Sequence, residues 1–142
     1  MNIPDVYYGQ ILKEFGQVEE MWKKASTAEE KLYYFSATFG TINRVMNFAC
    51  DPLLVFVHQV LQEAHQALAS RLKASKNPAS ESYLIVPSEM LDALVSYTLE
   101  LKAALESKQD SLVWMILQKL SNLTYATSGN GFYLYLKGDI KL

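Results

Sequence analysis

From Asp51 to Ser75 the chain reads DPLLVFVHQVLQEAHQALASRLKAS, a stretch with no glycine and no proline after its second residue. Asp51 can accept the first free backbone N–H groups of a helix, and Pro52 sits where a missing N–H costs nothing, so the pair sets a start. Arg71, Lys73 and Lys76 place positive charge at the negative end of the helix dipole, and Pro78 blocks continuation. On a helical wheel Leu53, Leu54, Phe56, Val57, Val60, Leu61, Ala64, Ala67 and Leu68 fill an arc of roughly 160°, with polar residues opposite and His58 and His65 at the border. A helix this long, apolar along one side, requires other helices to cover it.

The flanking sequence supplies them. Tyr8, Ile11, Phe15, Val18 and Trp22 recur every three or four residues and predict an amphipathic helix over 5–25. Thr27-Ala28-Glu29-Glu30 has the form of a capping box and opens a second helix over 28–48. Its stripe is Leu32, Phe35, Phe39, Ile42, Met46 and Ala49, while Tyr34, Val45 and Phe48 make its other side apolar too, which places it between neighbours, and Gly40 reads as a site of close helix approach. The third helix covers 52–75. Ser88 caps a fourth over 88–106, with Leu91, Leu94, Thr98, Leu101 and Leu105 inward. Asp110 caps a fifth over 110–127, with Val113, Ile116, Leu120 and Leu123 inward. Short links at 26–27, 49–51 and 107–109 make each joined pair antiparallel.

After Ser128-Gly129-Asn130-Gly131 the periodicity changes. Phe132, Leu134 and Leu136 alternate with Tyr133 and Tyr135, which predicts a strand over 132–136, with Gly138-Asp139 as a hairpin turn and Tyr83 to Val86 as its partner. The expected fold is therefore mainly α: one domain, an antiparallel five-helix bundle with a minor C-terminal strand or short hairpin.

Half the 142 residues are apolar and a fifth are charged, a balance that buries a core without staples. Thirteen basic and fifteen acidic residues give a net charge of −2, so no global field draws nucleic acid or anionic lipid. A single cysteine, an N-terminus without the basic and apolar regions of a secretion signal, and apolar runs far shorter than the roughly 20 residues that span a bilayer point to a cytoplasmic protein with no membrane partner.

Catalytic chemistry finds little footing. His58 and His65 are two helical turns apart, roughly 10 Å along the axis, too far to share a metal ion directly. Cys50 precedes a helix start, a position that lowers thiol pKa values, but Asp51 competes for the same N–H groups, and a small buried apolar role is expected instead. Gly129-Asn130-Gly131 leads toward a strand and not into the helix N-terminus that cradles phosphate. No Glu-x-x-His pairs exist for a di-metal site. No catalytic residue, metal or cofactor is expected.

Three surface features remain. Trp114 and Tyr125 lie off the inward stripe of the fifth helix but on one side of it, with Gln118 and Ser121 between them, and Tyr133 and Tyr135 line the tail. Exposed Trp and Tyr are favoured interface anchors, and an unpaired strand edge is a template for another chain. Lys23, Lys24, Lys31, Arg71, Lys73 and Lys76 fall at helix ends that meet at one pole if the first and third helices run parallel, and such a pole could touch phosphates. The leading expectation is a non-enzymatic interaction or assembly subunit with a protein partner, itself or another. The alternatives are a small helical subunit of a nucleoprotein complex, contacting RNA or DNA through that basic pole, and a bundle that holds an apolar small ligand.

Overall fold

The computed structural model describes residues 1–76 and 87–142, and within them the chain is helical throughout its regular structure. In order the helices are α1 (Asp5–Trp22), α2 (Ala28–Met46), α3 (Pro52–Ser75), α4 (Ser88–Ser107), α5 (Asp110–Ala126) and α6 (Gly129–Lys137). The neighbours are α1 with α2, α2 with α3, α3 with α5, α5 with α4, and α4 back to α1, so the five long helices close a ring.

A ring with an odd number of helices cannot alternate direction all the way round. One seam has to be parallel. The cross-contacts identify it: Phe56 meets Trp114 and Arg71 meets Thr127, so α3 and α5 rise together. Elsewhere the contacts run in opposite senses, as Lys102 to Glu19 (3.6 Å) and Lys108 to Asp5 (3.0 Å) show between α4 and α1. The antiparallel expectation concerned pairs joined by short links, and the parallel seam falls between α3 and α5, which no short link joins.

Local signals set the helix starts. The Asp51 carboxylate accepts from the N–H groups of Leu53 (2.9 Å), Leu54 (3.3 Å) and Asn2 (3.0 Å). These bonds, that of Asn2 most, hold its carboxyl below the usual range. Thr27 Oγ1 accepts from the Glu30 N–H and donates to the Glu30 carboxylate, at 3.1 and 3.0 Å. The other two starts differ from expectation. Pro87 and Gln109 occupy the cap positions, and Ser88 and Asp110 are the first helical residues. Asp110 instead takes the N-terminal ammonium of Met1, while Ile3 is buried beneath the ring.

The core holds the whole sequence stripe of α1, from Tyr8 to Trp22. In α2 the buried set is Leu32, Phe35, Thr38, Thr41, Ile42 and Val45, and Phe39 and Met46 are only half-buried. Thr38 enters because its hydroxyl donates to the Phe35 carbonyl (2.7 Å), which removes the cost of burying it. Leu117 replaces Ile116 on the inner face of α5. Gly40 is not a close-approach site, because a Cβ there would meet nothing within 4 Å.

The expected strand over 132–136 is a helix. Phe132 and Tyr135, three residues apart, dock on the core as readily at helical as at alternating spacing, and a helix satisfies its own backbone where a lone strand does not. Gly138 (φ 83°) closes it: the Asp139 N–H donates to the Leu134 carbonyl (2.9 Å) and the Gly138 N–H to the Tyr135 carbonyl (3.0 Å), the Schellman arrangement, so Gly138-Asp139 ends a helix and makes no hairpin turn. The segment Tyr83 to Val86, expected to pair with that strand, lies outside the described residues. α6 sits close on the end of α5 because Gly131 lacks a side chain; a Cβ there would stand 1.9 Å from the Tyr125 carbonyl oxygen.

Candidate interaction surface

On α5 the inward residues are Val113, Leu117, Leu120, Leu123 and Ala126. The residues between them present a second stripe, Trp114, Gln118, Ser121 and Tyr125, spaced four, three and four, which keeps all four within a narrow arc at 100° per residue. Trp114 is 48% exposed and Tyr125 53%. Phe56, at the edge of the apolar arc of α3, is pushed outward and is half exposed; its ring lies 5.1 Å from that of Trp114. With Val60, Met115 and Gln118 they line a groove of about 390 Å³ along the parallel seam. Further up the same seam a polar hollow of about 490 Å³ is lined by Glu63, Ser70, Thr124 and Ser128.

No charged side chain lines the groove at Trp114, whereas Glu63 and Arg71 line the polar hollow. From Ser111 to Leu136 the only charged side chain is Lys119, and it turns away from the stripe to pair with Glu100 on α4 at 3.2 Å. Exposed aromatic and Met side chains without charge are the composition of an interface core. A larger open hollow, about 680 Å³, lies between α1 and α2, but Lys13, Glu14 and Glu20 line it, and covering it would desolvate them.

The other expected residues separate. Tyr133 is exposed on α6 with Lys137 Nζ 5.3 Å from its ring centre, whereas Tyr135 is packed against the core and offers little surface. The six basic residues do gather at one pole, where α1 and α3 end and α2 begins, but much of their charge is engaged. Lys23 pairs with Glu20 (2.8 Å), Lys76 with Glu29 (3.0 Å), and Arg71 donates twice to the Thr127 carbonyl (3.1 and 3.0 Å) with its guanidinium 3.7 Å above the Phe132 ring. The Lys23 hydrogen bond lowers the Glu20 carboxyl pKa, and the Glu29 carboxyl is lowered by its own backbone first and by Lys76 second. Arg71 is a structural pin between α3, α5 and α6, which its place at a helix end did not reveal.

Cys50, expected to be buried, is exposed in the α2–α3 turn. Among the described residues no three His, Cys, Asp or Glu side chains come close enough to hold a metal ion. No described helix is long and apolar enough to cross a membrane. His58 and His65 border the α2–α3 seam as expected, and both pack on Phe39, with ring centres 6.2 and 5.3 Å away. Burial pushes the His65 pKa down, a shift opposed by a hydrogen bond with the Leu32 backbone. Because the unfolded chain takes up this proton first, the stability contributed by His65 is complete above its ordinary value near 6.5 and is lost as pH falls through the depressed native value. The urea midpoint therefore drops as pH is lowered from 7.5 to 5, and His65→Gln shows a shallower drop. An equal slope in the variant would exclude His65 as the cause.

Comparison of the chain with protein-family models, with curated proteins and with solved structures finds no match.

Proposed function

We propose that this protein is a non-enzymatic interaction subunit that binds a protein partner through the groove between α3 and α5. The observation that carries the reading is Trp114, half exposed beside the half-exposed Phe56 and Met115, in a groove that no charged side chain lines. A large side chain about half exposed leaves about 100 Å² uncovered, so these three residues together with Tyr125 offer about 400 Å² of apolar area, or about 10 kcal/mol gross at 25 cal/mol per Å². Association costs on the order of 4–15 kcal/mol, which places the contact in the range of reversible assembly. The pole of Lys24, Lys31 and Lys73 gives less support to a nucleic-acid role, because Glu29 and Glu30 share it.

Affinity capture from cell extract with tagged protein tests the reading. Trp114→Ser reduces the yield of specifically retained protein at least about tenfold, the effect of losing one central anchor worth about 1.4 kcal/mol or more. Tyr33→Ser, which removes a 73%-exposed aromatic from α2, leaves the yield unchanged. Equal retention by wild type and Trp114→Ser would defeat the proposal.

A further inference from the structure

We infer that the occupant of this surface is a second copy of the same chain, with the two α5 helices antiparallel across a two-fold axis; the inference rests on the α3–α5 face being the interaction surface. Trp114, Gln118, Ser121 and Tyr125 are spaced four, three and four, a pattern that reads the same in both directions. A two-fold axis midway between Gln118 and Ser121 sets Trp114 of each copy against Tyr125 of the other, and Gln118 against Ser121. Self-complementarity of this kind is what an isologous contact demands, since every residue must tolerate the partner that symmetry assigns it.

The pairings are chemically sound. Each aromatic meets an aromatic, and the Gln118 amide, which both donates and accepts, meets a hydroxyl that does the same. Because the α5 stripe itself carries no charge, the axis sets no like charges of the two α5 helices against each other. Area is consistent as well. The four exposed apolar side chains and the polar residues between them, Gln118, Ser121 and Asn122, offer about 600 Å² per copy, or about 1,200 Å² in the pair, the lower edge for a specific interface. Dimerisation is accordingly reversible, with a dissociation constant in the micromolar range.

Sedimentation velocity of the purified full chain over about 5–500 µM shows a shift from monomer to dimer. Trp114→Ser and Tyr125→Ser each raise the dissociation constant at least about tenfold while leaving helix content unchanged, and Tyr33→Ser leaves it unaltered. Orientation is read from spin labels in a Cys50→Ser background. At a rise of 1.5 Å per residue, labels on Asn122→Cys lie within about 15 Å of each other and labels on Ser111→Cys lie about 25 Å or more apart. A protein monomeric to 500 µM, a dimer indifferent to Trp114→Ser, or equal separations at the two sites would each overturn the inference. If it is monomeric yet Trp114→Ser still abolishes capture from extract, the surface stands and the second copy alone is refuted.

Discussion

Gly131→Ala lowers the thermal midpoint by about 10 °C, the equivalent of about 3 kcal/mol in a domain of this size. The added methyl would stand 1.9 Å from the Tyr125 carbonyl oxygen and 2.7 Å from its carbon. Both are backbone atoms of the last turn of α5, so no rotamer change relieves the overlap, and α6 has to lift. Lifting it exposes Phe132, which is 3% exposed, and draws its ring away from Arg71. Gly16→Ala is the control. A Cβ there meets nothing within 4 Å, and in the middle of α1 it gains about 0.5–1 kcal/mol of helix propensity. Differential scanning calorimetry separates the two, and a Gly131→Ala midpoint within about 2 °C of wild type would show that α6 does not dock this closely in solution.

The second large effect belongs to Arg71→Met, which keeps most of the aliphatic stem and removes the guanidinium. Two hydrogen bonds from a charged donor end, and the carbonyl of Thr127, a residue 1% exposed, is left without that donor. Hydrogen bonds to charged groups are worth about 1.5–3 kcal/mol and a cation over a ring about 0.5–2, so the sum, not fully additive, is about 3 kcal/mol in urea unfolding. Arg71→Lys recovers less than half of it, because an ammonium cannot reproduce the planar fork. In the Gly131→Ala background Arg71→Met costs much less, since both act on the docking of α6. Full additivity would mean that Arg71 acts elsewhere.

How far the sequence revealed this arrangement depended on whether chemistry and periodicity agreed. In α1 they did, and all five stripe residues are buried. Asp51-Pro52 set the start of α3, because a carboxylate before a proline has few other uses for free N–H groups. In α2 hydropathy misled: threonines at 38 and 41 go inside because hydrogen bonds local to the helix satisfy their hydroxyls. In the tail, Phe132 to Leu136 fits two periods over five residues, and the deciding signals were Gly138 as a helix terminator and Gly131 as a contact. The second is visible only once α5 is in place. The surface was partly legible. Trp114 and Tyr125 stand out on one side of α5, but Phe56 was assigned to the core, and Tyr135 to the surface, because a helical wheel does not say how wide a neighbour's cover will be.

The closed ring also governs how the molecule can come apart. α1, α2 and α3 form a continuous arc with two free edges, and the α4–α5 hairpin fills the gap by docking on both, parallel to α3 and antiparallel to α1. Releasing one edge alone would strain the other, so the hairpin leaves as a unit and takes α6 with it. The slowest-exchanging amides of α4 and α5 therefore report a shared opening free energy, and the arc behind them a different one.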